Sequence, residues 1–171
     1  MMPRAVRLGI WIVAIALLAV GAFALYRWPA QYLRLADGSE IFFHRDSKIT
    51  AAAHYPHPRA VTVDGDFFFR VPAAEQPLIV RSRLLILTVT GKTAFRITAY
   101  AKEAGEQVEV LYGNITAHKN YKSSYQEPDV LTGGQMTMIN RSIDLMEKET
   151  ADLPALRAWS DKLVNSASGK P

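Results

Sequence analysis

The sequence contains no cysteine. That excludes disulfide staples, thiolate metal sites, cysteine nucleophiles and a lipidated N-terminal cysteine, while leaving the compartment open. A basic face interleaved with aromatics is also missing, and with it the usual footprint of nucleic-acid binding. The formal net charge is +4, but Arg4, Arg7 and Arg27 flank a single apolar run and leave 17 of the 20 basic residues against 16 acidic ones. No nucleophile elbow of the Gly-x-Ser-x-Gly kind occurs. Gly91-Lys92-Thr93 ends like a phosphate loop, yet Leu87 stands where the upstream glycine belongs. The paired carboxylates Asp64 and Asp66 flank Gly65 as turn chemistry would have them, with no second acid in sight across a cleft. Catalytic, cofactor and metal residues are therefore assigned to no position, and the chain is read as a non-enzyme.

Long apolar runs are scarce, and the one present is diagnostic. Leu8 to Tyr26 carries no charge, and a helix of that length crosses the roughly 30 Å hydrocarbon layer at about 1.5 Å per residue. Arg4 and Arg7 precede it and Trp11, Tyr26 and Trp28 lie near its ends, which puts the N-terminus in the cytoplasm. A cleaved signal peptide is the rival, since Ala22-Phe23-Ala24 offers a small-x-small site, but the run continues past it. Residues 1–7 are thus expected as a cytoplasmic tail and 8–28 as an anchor in the inner membrane, with the remainder exported to the periplasm.

Beyond the apolar run the chain is dense in Val, Ile, Phe and Thr, broken by Gly, Pro and Asp, the composition of a packed sheet. Tyr32 to Ala36 and Glu40 to His44 read as strands joined by an Asp37-Gly38-Ser39 turn, followed by Lys48 to Thr50. Tyr55-Pro56-His57-Pro58 is loop or edge, because proline cannot donate to a ladder. Ala60 to Val71 comes next, with Asp64-Gly65-Asp66 read as a turn and with Phe67, Phe69 and Val71 on one face, opposite Phe68 and Arg70. Leu78 to Val80 and Leu84 to Val89 follow, the latter closed by Gly91 and apolar on both sides, hence expected as the most deeply buried strand. Ala94 to Tyr100, Val108 to Tyr112, a sharp turn at Gly113-Asn114, a polar loop from Lys119 to Glu127, and a turn at Gly133-Gly134 before Met136 to Ile139 complete the pattern. Asp152 caps a helix over Leu153 to Val164, whose stripe of Leu153, Leu156, Trp159 and Leu163 docks on the sheet or on a partner. The expected fold is mainly β, an antiparallel β-sandwich or β-roll over 30–145 with an amphipathic helix at 150–166.

Of the four histidines, His54 and His57 are close in sequence, beside Tyr55, but no third ligand stands near them. A small ligand- or metal-binding pocket, or an enzyme site, around His54 and His57 is the alternative function. Asn114-Ile115-Thr116 and Asn140-Arg141-Ser142 match the glycosylation sequon, which matters only in a eukaryotic secretory pathway.

Several landmarks stand in a familiar order: Leu35-Ala36-Asp37-Gly38-Ser39-Glu40-Ile41, Ser47-Lys48-Ile49, Val61 through Val71, Pro77 to Val80, Leu87 to Ile97, Val108 to Ile115 and Leu131 to Gln135. As an ordered series, spanning about Tyr32 to Ile139, this resembles the FecR domain of bacterial transmembrane signal transducers. The family's Gly-Thr-x-Phe landmark is altered here to Gly91-Lys92-Thr93-Ala94-Phe95. The resemblance implies an all-β periplasmic module that works with TonB-dependent receptors and sigma-factor regulators. The family's cytoplasmic sigma-binding helices have no counterpart in the seven residues before the apolar run, so anti-sigma activity is not carried over. The expected partners are the membrane and another envelope protein, a TonB-dependent receptor or a sigma-regulator component, met through exposed strand edges and the helix stripe. No nucleic acid and no cofactor is expected.

Overall fold

The computed structural model describes residues 30–51 and 59–168. The apolar run at 8–28 and the residues His54, Tyr55 and His57 lie outside them. Ten strands are present: β1 (Gln31–Arg34), β2 (Glu40–Phe43), β3 (Lys48–Ala51), β4 (Ala60–Val71), β5 (Leu78–Arg81), β6 (Leu85–Ala99), β7 (Gly105–Lys119), β8 (Asp129–Thr132), β9 (Gln135–Asn140) and β10 (Leu145–Thr150). One helix, α1 (Leu153–Ala167), comes after them.

All ten strands join in a single hydrogen-bonded sheet. It is mixed rather than wholly antiparallel, because β5 runs parallel to the start of β4, with Ala60 beside Ile79. Proline-bearing residues 72–77 carry the chain back from the end of β4 to that start without a helix. The expectation of an antiparallel sheet is corrected at this one pairing.

Three strands are longer than the sequence suggests, and each changes partners part-way. The first part of β4 pairs β3 and β5, and its second part pairs β2 and β6. β6 pairs β5 and then β4, while β7 pairs β9 and then β8. The changeovers fall at or beside Gly65, Gly91 and Gly113, all with positive φ. The sequence pattern makes these three the ends of strands. They bend them instead, as glycine inside a strand does where a bulge or another backbone comes close. The bends let side chains from both halves meet in one core, with Val61, Leu78 and Leu87 from one and Ile41, Phe67, Phe69 and Val108 from the other. Phe69 and Phe95 stack at its centre, centroids 4.9 Å apart.

The expected deepest strand is also corrected. Ile86 and Thr88 of β6 are half-buried, whereas Gly65 to Phe69 of β4 form an unbroken buried run. The cause is α1, which lies on the outer face of that part of the sheet. Leu163, Trp159 and Val164 pack there on Phe42, Phe68, Ala94 and Leu111. Asp152 starts the helix as expected, its Oδ1 accepting from the Ala155 amide at 3.0 Å, with Pro154 in the first turn. Asp152→Ala is expected to lower stability by about 1 kcal/mol, read from the urea midpoint with an unchanged slope.

The expected strand content stops too early. The sequence pattern gives no strand at β10, since Glu147-Lys148-Glu149 dilutes its apolar content. It pairs β9 from Leu145 beside Asn140 to Thr150 beside Gln135, and so forms an outer edge of the sheet.

Candidate functional site

Of the two surfaces expected to meet partners, the helix stripe is occupied within the molecule. Leu156 and Leu163 are buried, and Trp159 sits edge-on to Phe68 with centroids 6.3 Å apart. That leaves strand edges, and one of them has more than an edge. Along β10, residues 145, 147 and 149 share the outer face of the sheet with Asn140, Met138 and Met136 of β9. The row continues inward, Glu147 beside Met138, Met138 beside Gln107 and Gln107 beside Thr98. A groove of about 560 Å³ lies over this row, walled by Ile143, Leu145 and the Glu103–Ala104 turn. Met138, Ile143 and Leu145 are 38%, 65% and 40% exposed, three large apolar side chains open to water in one place.

Two residues along the same strands from the groove residues Thr98 and Gln107 stands an ion-pair cluster of Arg96 and Glu109 with Asp66. Arg96 donates to both oxygens of Asp66, Nε at 2.9 Å and Nη2 at 2.8 Å, and reaches Glu109 at 3.5 Å. Its guanidinium lies 3.9 Å from the Trp159 ring centroid, so the same side chain ties α1 to the sheet. Burial pulls the Arg96 pKa down, but Asp66 and Glu109 outweigh it and leave it raised. Burial also pushes the Glu109 carboxyl up, with Arg96 opposing. On the inner face, the buried Glu106 accepts from the Leu84 amide at 3.1 Å and from the Ser82 hydroxyl. Burial raises its pKa despite both bonds.

The far wall rests on Asp144, the one non-glycine residue with positive φ (50°) among the described residues. Asparagine and aspartate tolerate that conformation best. Its carboxylate accepts from the Ser123 hydroxyl at 2.7 Å, from the Lys119 ammonium at 3.0 Å and from the Tyr121 hydroxyl at 3.0 Å. These contacts fix the Arg141–Asp144 turn that carries Ile143 into the groove wall. The Ser123 and Lys119 hydrogen bonds hold the Asp144 carboxyl down from 3.8 to about 2. A lowered carboxyl pKa contributes stability above the ordinary value and loses it as pH falls through the folded one. The protection of amides in residues 141–145, measured against their intrinsic exchange rates, is therefore expected to fall as pH drops from 4 to about 2, and Asp144→Asn should lack that protection already at neutral pH.

Among the described residues no group of His, Asp and Glu is placed to hold a metal ion. His44 and His118 are far apart in the chain, His44 in the turn after β2 and His118 within β7. Asp64 and Asp66 are engaged with separate partners: Asp64 Oδ1 accepts from the Ala101 amide and Asp66 is held by Arg96. Gly91-Lys92-Thr93 lies within β6 with no helix following, so it is not a phosphate loop. No helix of the described residues is long and apolar enough to cross a membrane.

The geometry defines a mainly-β body capped on one face by a single helix and open along one edge. The FecR protein family matches residues 30–116, half of the sequence, and the chain belongs to that family. Two crystal structures of a provisionally assigned anti-sigma factor from Parabacteroides distasonis, at 2.50 Å and 1.65 Å, share the fold. Each aligns with a TM-score of 0.68 and 22% identity, covering 77% of this chain and 60% of that one. The chain thus spans 60% of the length of the protein it resembles. No curated protein matches the sequence.

The groove residues Ile143, Leu145 and Glu147 escaped sequence reasoning because β10 did. Their only signal was the turn-forming Asn140-Arg141-Ser142 followed by an isolated apolar pair, Leu145-Met146.

Proposed function

We propose that this chain is a membrane-anchored, exported FecR-type module that takes part in envelope signalling by touching another envelope protein. Residues 8–28 are its single-pass anchor, residues 1–7 face the cytoplasm, and the β body stands in the periplasm. The anchor reading is supported by an uninterrupted apolar run with arginines before it. The interaction reading is carried by one observation: a free strand edge lying beside three exposed apolar side chains, in a body of this family. The β body has no anti-sigma activity of its own in this reading, since the one helix of the described residues has its apolar stripe docked on the sheet. A TonB-dependent receptor or a sigma-regulator component is the partner that the family context favours.

The test is photo-crosslinking of the full chain in its membrane, with the reactive side chain placed at Ile143. Linkage to another envelope protein is the expected result, together with protease access to the β body only after the periplasm is opened. A β body recovered in the cytosol, or crosslinks to lipid and to nothing else from every exposed position, overturns the proposal.

A further inference from the structure

The outer face of β10 is selective about what could lie beside it. Two exposed acids, Glu103 and Glu147, line the groove and no basic residue does; Glu106 also borders it, but its carboxylate turns inward onto the Leu84 amide and the Ser82 hydroxyl. Of the cations around the groove, Arg96 is held by Asp66 and Glu109, Arg83 donates to the Glu103 carbonyl, Arg141 lies over the Tyr121 ring at 5.2 Å and Lys102 over the Tyr100 ring at 5.6 Å, while Lys148 of β10 is on the opposite face of the strand from Glu147. Glu149, exposed, continues the acidic row along the strand.

A second copy of this chain fits badly. Twofold antiparallel pairing of two β10 edges must keep residues of one face opposite each other, so only residues of the same parity can meet. The two registers of fullest overlap place Glu147 against Glu147 of the other copy, or Lys148 against Lys148 together with Glu147 against Glu149. Like charges directly opposite destabilise a strand pair, and charges on an edge are a common guard against self-association.

We infer, resting on the protein-contact reading above, that the β10 edge accepts an extended segment of a partner protein as an added strand. That segment bears lysine or arginine opposite Glu147 and Glu149 and an aliphatic side chain that enters the groove over Leu145, Met138 and Ile143. Backbone hydrogen bonds along the edge supply affinity, and the alternate side chains supply the choice. The basic positions lie on the same face as the aliphatic one, two and four residues from it, which separates this segment from an ordinary amphipathic helix.

The probe is a short peptide containing Lys-Thr-Lys-Val-Leu, written to pair antiparallel with residues 145–149, and its Glu-Thr-Glu-Val-Leu counterpart. Both are titrated against the full chain in detergent micelles at low salt. The lysine peptide is expected to bind at least about tenfold more tightly than its counterpart, with hydrogen-exchange protection confined to β10 and the groove turns. The double variant Glu147→Lys, Glu149→Lys should reverse the preference, since both side chains are exposed and their replacement leaves the core intact. Equal binding of the two peptides, an unchanged preference in the double variant, protection away from β10, or dimers formed through β10 each overturn the inference. If crosslinking in cells finds an envelope partner while the peptides ignore this edge, the interaction reading stands and this inference fails alone.

Discussion

Gly113→Ala is expected to destabilise the fold by about 3–5 kcal/mol, enough to leave a domain of ordinary stability partly unfolded at 37 °C. Two costs combine. The residue holds φ at 93°, where a Cβ is strained, and the added carbon would stand 2.3 Å from Thr93 Oγ1 and 2.6 Å from both Lys92 O and Thr93 Cα. Two of those three atoms are backbone and cannot swing aside. Thr93 is itself fixed: fully buried, its hydroxyl donates to the Thr90 carbonyl at 3.0 Å and accepts from the Asn114 amide at 3.3 Å. This close approach is where β6 and β7 lose register between Thr90 and Ala94, the bend that turns both strands from one half of the sheet into the other. Gly91 is the internal control. Its φ is 66°, yet nothing lies within 4 Å of an added Cβ, so Gly91→Ala should cost only about 1 kcal/mol and Gly91→Asn less. Urea titration of the three variants with matched slopes decides between conformational strain and collision. Similar losses at both glycines would show that the contact with Thr93 carries no weight.

The same glycines show where sequence reasoning reached and where it stopped. Alternation identified the faces correctly: Phe67, Phe69 and Val71 do enter the main core and Phe68 does point the other way. The Asp37-Gly38-Ser39 and Gly133-Gly134 turns, the Asp152 cap and the docking stripe of α1 were all local in origin, and local chemistry placed them. Gly65, Gly91 and Gly113 were not, because a glycine that ends a strand and one that bends it look alike until the neighbour across the gap is known. At Gly65 that neighbour is Ser47, whose Oγ would lie 2.3 Å from an added Cβ. The parallel β4–β5 pairing was hidden for a related reason. It depends on the path of residues 72–77, where no periodic pattern exists to read. β10 was hidden by its own composition: the charges Glu147, Lys148 and Glu149 along this edge erase the apolar signature by which strands are recognised. The groove was therefore invisible in the sequence, while the absence of a nucleophile elbow and of a complete phosphate loop could be read directly.

Phe68→Ala carries the second large effect, and the expected loss is about 3–5 kcal/mol. The ring is fully buried although it faces away from the main core, because α1 closes over it. Trp159 stands edge-on to it, Phe42 and Leu163 share its cluster, and the Arg70 guanidinium lies 5.7 Å from its centroid. Removing the ring opens a cavity between two elements held together mainly by such contacts, with one long hydrogen bond from the Ala30 amide to Ser166 Oγ at 3.5 Å beside them, so the helix should loosen before the sheet does. Phe69→Ala is expected to cost a similar amount but to act differently, since Phe69 stacks on Phe95 inside the main core. Hydrogen exchange separates the two. In Phe68→Ala, amides of residues 156–167 should exchange by local opening while β4, β6 and β7 keep their protection; in Phe69→Ala the whole sheet should lose protection together. Equal and uniform loss in both variants would mean that helix and sheet unfold as one unit. If α1 does open alone, Arg96 must release Trp159 while keeping Asp66 and Glu109, and the groove, none of whose lining residues belongs to α1, should stay formed along with the β10 edge.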